Sequence, residues 1–164
     1  RKPNHCARVG RKLENLKTRM PHVPGERESY KLKRKYAHMK PADVAIWERF
    51  IEKRPDEYDE IIYDLAVGSG APIDEELDDN LKRDLKILTQ RKIDVVGFKN
   101  NVVDIIEVKP LAGPSAFGQV LTYRELYKPM EHAGETVRMR VITDTERPDM
   151  VKVAAKLGIE MITV

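Results

Sequence analysis

Apolar and polar positions along this chain fall into a short series of recognisable periods. In "PADVAIWERFIEK", Val44, Trp47, Phe50 and Ile51 recur at helical spacing, and Pro41 suits a first helical turn. Pro55 ends that helix. "EIIYDLAV", "KIDVVGF" and "NVVDIIEVK" are rich in branched apolar residues and predict three strands. Between the last two, Asn100-Asn101 predicts a tight hairpin, because asparagine tolerates left-handed backbone. "GPSAFGQVLTYRELYK" predicts a helix with Ser115 as its N-cap. "VRMRVITD" then reads as a strand, "RPDMVKVAAKLG" as a helix closed by Gly158, and "IEMITV" as a last strand. The acidic run in "IDEELDDNLKRDL" predicts a solvated helix face or a loop; its spacing is not that of a calcium loop. Helix, three strands, helix, strand, helix, strand is an α/β order, and the tight central pair implies a mixed sheet.

One stretch breaks its own pattern. "VVDIIEVKP" reads as an interior strand, yet Glu107 and Lys109 stand where it should stay apolar. A two-residue turn at Asn100-Asn101 pairs Phe98 with Val103, Val96 with Ile105 and Asp94 with Glu107. Lys109 then shares that face, while Asp104 lies on the other face opposite Gly97. Two opposed carboxylates repel unless they share a proton, pair with Lys109, or hold a divalent cation. An oxygen-rich site with open positions suits Mg²⁺ or Mn²⁺, and a lysine beside it could hold or deprotonate a water. An ordinary exposed hairpin face, with Lys109 neutralising Glu107, accounts for the same residues. In the following helix Gln119 and Tyr123 stand one turn apart, on a face extended by Ala116, Leu126 and Tyr127. A glutamine carried inward by that face needs polar partners, which Asp94, Glu107 and Lys109 would supply.

Charge adds a second picture. The net charge of +3 conceals an N-terminal segment, residues 1–40, with thirteen Lys/Arg against three Asp/Glu. The rest of the chain carries seventeen against twenty-four, so a basic arm of +10 precedes a body of −7. Such an arm suits a polyanion, through counterion release, or is a solvated tail. Its densest part, "KLKRKY", offers Lys31, Lys33, Arg34 and Lys35 to phosphates, with Tyr30 and Tyr36 placed to stack on bases. The single cysteine, Cys6, excludes an internal disulfide framework, and with four histidines it argues against structural zinc. No apolar run reaches the ~20 residues of a membrane span. These features predict a soluble intracellular protein with no membrane partner, and a start at Arg1 predicts a processed or trimmed product.

Taken together, "ID" at 93–94, "EVK" at 107–109 and "QVLTY" at 119–123 resemble the PD-(D/E)XK nuclease superfamily, whose fold is similar to restriction endonucleases. "QVLTY" looks like the QxxxY motif of its RecB-like and lambda-exonuclease-like branches. The resemblance spans residues 41–164 and implies a restriction-endonuclease-like αβββαβ core, a mixed central sheet flanked by helices. It further implies that Asp94, Glu107 and the backbone carbonyl of Val108 ligate Mg²⁺, for which Mn²⁺ can substitute. Lys109 would orient or activate water, Gln119 would orient the lysine or nucleophile, and Tyr123 would touch the DNA backbone or brace Gln119. Glu48 looks like the first-helix acid that many members add to the metal, with Glu52 a rival and a plain solvated glutamate an equal alternative. The proline of the family name is replaced by Ile93. The implied activity is metal-assisted hydrolysis of DNA phosphodiesters, directed by structure or ends more than by sequence. The other reading is a nucleic-acid-binding subunit of a larger assembly that keeps the fold without cleaving. A cytoplasmic setting in bacterial or phage-infected cells, and a homo-oligomer or larger DNA-processing complex, complete the expectation.

Overall fold

The computed structural model describes residues 25–36 and 38–164. The short helix expected near Val9–Met20, and Cys6, lie outside the described residues. A six-stranded mixed sheet runs in sequence order: β1 (Arg27–Ser29), β2 (Glu60–Val67), β3 (Arg91–Lys99), β4 (Val102–Val108), β5 (Thr136–Thr143) and β6 (Ile159–Thr163). Strands β1 to β4 pair antiparallel; β4–β5 and β5–β6 pair parallel. Parallel neighbours need crossovers, and α3 (Pro114–Tyr127) and α4 (Pro148–Lys156) supply them. Helix α1 (Pro41–Lys53) precedes β2, and α2 (Asp79–Thr89) is inserted between β2 and β3. The order α1, β2, β3, β4, α3, β5 is the expected αβββαβ core. Among the described residues no helix is long and apolar enough to cross a membrane.

The two faces of the sheet bury different helices. Ile62, Val96, Phe98, Val103, Ile105 and Val141 pack with Ala116, Phe117, Val120 and Tyr123 of α3 and with Ala154 of α4. Opposite them, Ile61, Tyr63, Val95, Ile106, Val108 and Ile142 pack with Ile46, Trp47, Phe50 and Ile51 of α1. The second cluster also holds Tyr30 and Tyr36, which corrects their expected role as base-stacking residues. Tyr30 meets Trp47 and Tyr58 edge-on and donates to the Arg54 carbonyl at 3.0 Å. Tyr36 packs edge-on against Tyr63, and its hydroxyl accepts from Lys33 N–H. Buried rings of this kind stabilise a core and have no face left for a base. With β1 paired to β2 as well, the folded unit starts before residue 41, so part of the expected arm belongs to it.

Two further local readings change. Helix α3 is preceded by Gly113 as N-cap with Pro114 in the first turn, so Ser115 lies inside the helix and does not cap it. The acidic "IDEELDDN" stretch leads into α2, whose N-cap Asp78 accepts from the amides of Asn80 and Leu81. No residue of α2 is buried, and Leu81, Ile87 and Leu88 are exposed.

The Asn100-Asn101 hairpin has the expected register, with Phe98 opposite Val103, Val96 opposite Ile105 and Gly97 opposite Asp104. Asn100 adopts φ 53°, the left-handed conformation that the turn requires. Gly97 is needed for another reason: a Cβ there would lie 2.5 Å from the Tyr58 ring. That ring cannot step aside, because its hydroxyl donates to Asp104 at 3.0 Å and accepts from Arg140 at 2.8 Å. Gly97→Ala is therefore expected to cost about 1–3 kcal/mol in chemical denaturation, as overpacking does in a close-packed core. An unchanged midpoint would show that the Tyr58 layer yields freely.

Candidate active site

Strand β3 begins beside β2, and its partner β4 ends at Val108, so the two meet at one end of the sheet. The β3–β4 ladder stops at Val95 opposite Ile106, one step before the anticipated Asp94–Glu107 pair. There Asp94 turns its carboxylate to the backbone, and its Oδ2 accepts from Val108 N–H at 3.0 Å. A side chain thus takes over where the ladder stops. The two acids are close enough to act on each other's charge, although they are not cross-strand partners.

Glu107 is fully buried, and Lys109 Nζ stands 2.8 Å from its Oε1. The contact has the distance of an ion pair but not the alignment of a hydrogen bond, so neither Oε atom has a hydrogen-bond donor. Burial first, and the Asp94 charge second, push Glu107 up to about 8, against the pull of Lys109. Burial also raises Asp94, opposed by the Val108 amide and the Lys109 charge. Burial alone would lower Lys109, but Glu107 and Asp94 outweigh it and hold the ammonium above its ordinary range. The lysine is held in place by its own amide, which donates to the Ile142 carbonyl at 3.0 Å.

The contrast with Asp104 is informative. It is also buried, three residues earlier and on the opposite face. Arg138 approaches it in two-pronged fashion at 2.6 and 2.8 Å, Arg140 stands 2.9 Å away, and Tyr58 donates at 3.0 Å. One buried carboxylate is thus saturated with donors, whereas Glu107 has an ion-pair neighbour and two oxygens without any. Buried polar atoms are rarely left so, because each unmade hydrogen bond is costly.

Helix α3 closes the site from the other side. Tyr123 is buried, and burial followed by the Glu107 charge raises its hydroxyl. Gln119 Nε2 makes a long hydrogen bond of 3.3 Å to Tyr123 Oη. Gln119 and Tyr123 thus brace each other beside the acids, as their one-turn spacing anticipates.

For the first-helix acid, Asp43 stands as a further candidate beside Glu48. Glu48 bears on Tyr36, within the aromatic cluster, whereas Asp43 is the α1 acid whose charge bears on Asp94 and Lys109. Asp43 is buried, in the first turn of α1, where a carboxylate also complements the helix dipole. The signal was present: residues 43, 46, 47 and 50 form one helical stripe, and Asp43 is its polar member. Asp43→Asn is therefore expected to lower any activity of this site by about tenfold or more, and Glu48→Gln to change it little. Equal effects of the two substitutions would refute this assignment.

Of the basic residues nominated for phosphate contact, Lys31, Arg34 and Lys35 are exposed. Lys33 instead pairs with Glu28 and lies 5.1 Å above the Tyr63 ring, which removes it from that group.

Asp94, Glu107 and the Val108 carbonyl offer oxygen donors of the kind hard divalent cations prefer, and the donor-free Glu107 oxygens fit one. No group of three or more His, Cys, Asp or Glu side chains is gathered at metal-binding distances among the described residues. Any cation here would rest on two carboxylates and a carbonyl, with water completing its coordination, as suits Mg²⁺.

The structure is similar to the crystal structure of a repair endonuclease from Pyrococcus abyssi, with a TM-score of 0.43 and 18% sequence identity. The similarity covers 79% of this chain and 49% of that one, so this chain spans about half the length of the archaeal protein. No family model and no curated protein matches the sequence.

Proposed function

We propose that this chain is a divalent-metal-dependent nuclease that hydrolyses DNA phosphodiester bonds, directed by DNA structure or ends more than by sequence. The observation that carries it is Glu107: fully buried, without hydrogen-bond donors, and set against Asp94 and Lys109. A carboxylate placed only for stability would be provided for as Asp104 is.

Asp94, Glu107 and the Val108 carbonyl would hold Mg²⁺ or Mn²⁺, with Asp43 near enough to add its charge. When bound, the cation supplies positive charge that acidifies water and stabilises charge on the phosphate. The chain's own groups do the rest. Lys109 Nζ donates toward the attacking water and the phosphate, and its charge offsets the two carboxylates. Glu107 and Asp94 favour the charged form of Lys109, in which it donates to and orients water. Tyr123, braced by Gln119, presents its hydroxyl beside Glu107 for contact with the phosphate backbone. Exposed Lys31, Arg34 and Lys35 would steer the polyanion toward the protein.

The test uses linear, circular, single-stranded and branched DNA with Mg²⁺, Mn²⁺ or EDTA. Cleavage with either cation and none in EDTA is expected. Undiminished cleavage in EDTA would refute the metal-dependent reading. Binding without cleavage of any substrate would replace the nuclease with a binding subunit.

A further inference from the structure

Among the described residues, two other than glycine and the hairpin asparagine adopt left-handed backbone, His38 at φ 58° and Asp64 at φ 53°. They are bonded to each other: His38 Nδ1 lies 3.0 Å from Asp64 Oδ2. Left-handed backbone is strained for such residues and persists only where surrounding structure enforces it. Asp64 is buried in the middle of β2, whereas the His38 side chain is half-exposed in the segment leading to α1.

The place of Asp64 in the sheet is what matters. The β2–β3 ladder pairs Tyr63 with Val95 and Leu65 with Ile93, and skips the step between them, which holds Asp64 and Asp94. The alternation of faces breaks at the same step in both strands. Ile62 and Leu65 pack on the α3 face with Tyr63 on the α1 face; likewise Val96 and Ile93 share one face and Val95 takes the other. Regular strands place residues three apart on opposite faces. Asp64 and Asp94 are thus paired irregularities in neighbouring strands. The irregularity frees the Asp94 side chain from the sheet so that it can reach the Val108 amide beside Glu107. The imidazole in turn gives Asp64 a partner.

We propose that the His38–Asp64 pair is a positioning device: the imidazole holds Asp64 in its left-handed turn, the turn breaks the β2–β3 ladder at Asp94, and Asp94 is thereby aimed at Val108 and Glu107. His38 and Asp64 are positioning residues in this scheme. Their catalytic consequence rests on the nuclease reading above, but their effect on Asp94 does not.

The experiment compares His38→Ala, Asp64→Ala, Asp64→Gly and Asp64→Asn by three readouts: the NMR shift and hydrogen exchange of the Val108 amide, Mn²⁺ titration, and single-turnover cleavage. Circular dichroism controls for folding. Asp64→Gly keeps the left-handed backbone without strain and removes the carboxylate, while His38→Ala removes the bond from the other side, so the two together decide the matter if Asp64→Ala fails to fold. Asparagine tolerates the turn and can still bond the imidazole. The expected result is faster exchange and a shifted resonance of the Val108 amide in the His38→Ala, Asp64→Ala and Asp64→Gly variants. In these kcat falls about a hundredfold and KM for DNA is little changed, the size of loss that misplacement by ~1 Å produces. Asp64→Asn should recover most of the loss. A Val108 amide that does not move in folded His38→Ala and Asp64→Gly protein would overturn the proposal, as would an Asp64→Asn variant no better than Asp64→Gly. If the wild type cleaves nothing, the nuclease reading fails, and the Val108 amide and Mn²⁺ titrations still decide the positioning role.

Discussion

Lys109→Ala should lower single-turnover cleavage by about 10²–10⁴-fold, the range for losing a group that handles a proton or water in a transition state, with DNA binding little changed. The geometry gives the reason. Among the described residues Lys109 Nζ is the cation paired with Glu107, at 2.8 Å, and it is partly open to solvent while its partner is sealed. It can therefore meet an incoming phosphate without losing its hold on the carboxylate. Two effects contribute to the loss. Without the ammonium, Asp94 and Glu107 lose their compensating charge and take up protons more readily, since burial already pushes both upward. The attacking water also loses a donor. A series in Mn²⁺ separates them, because charge compensation should recover at high metal concentration and water orientation should not. Lys109→Met keeps the length of the side chain and should match alanine. If Lys109→Ala cuts DNA as fast as wild type, the site proposed for this chain is not where cleavage occurs.

The Lys109 environment also shows how far the sequence carried. The hairpin was legible because Asn100-Asn101 permits few turns and period-two alternation then sets the pairs next to it, so Asp104 could be placed on the far face from sequence, whereas the expected Asp94–Glu107 pair lies beyond the end of the ladder. Glu107 and Lys109 stood out because a buried strand has little reason to carry them. What was not legible depends on contacts between segments distant in sequence. Asp94 leaves the ladder to bond the Val108 amide, a choice made by the β2 irregularity thirty residues away in sequence. Tyr30 and Tyr36 looked like base-stacking residues because lysines surround them; their burial depends on α1 and Tyr63 coming to cover them. For the first-helix acid the sequence offered Glu48 with Glu52 as a rival; Asp43, the first-turn carboxylate of the same buried stripe, escaped notice because that stripe is recognised by its apolar residues. Leu81, Ile87 and Leu88 of α2 have the period of a buried face and bury nothing, which no periodicity rule could reveal.

Glu107→Gln should remove cleavage and, in EDTA, make the protein more stable than wild type in alkaline solution. The sign follows from the folded state holding its proton more tightly than the unfolded chain: Glu107 is pushed up to about 8 from an ordinary value of 4.5. Between those values the native state binds the extra proton, so wild-type stability is fully present at acid pH, falls as pH rises, and is lost once Glu107 ionises. Asp94 is shifted in the same direction and steepens the fall. Lys109, raised above 10.5, titrates outside this window. A neutral amide at position 107 removes the buried charge that burial and Asp94 oppose. Thermal melts from about pH 5 to pH 9 in EDTA should therefore decline for wild type and decline less for the variant, in which only Asp94 still contributes. Added Mg²⁺ should restore the wild type above pH 8 and leave Glu107→Gln where it was, because a cation that needs the ionised carboxylate binds only the native state of the wild type. A wild-type curve as flat as the variant's would mean that Glu107 is compensated by some other group. Glu107 would then be an ordinary compensated carboxylate, and the observation that carries the nuclease reading would be lost.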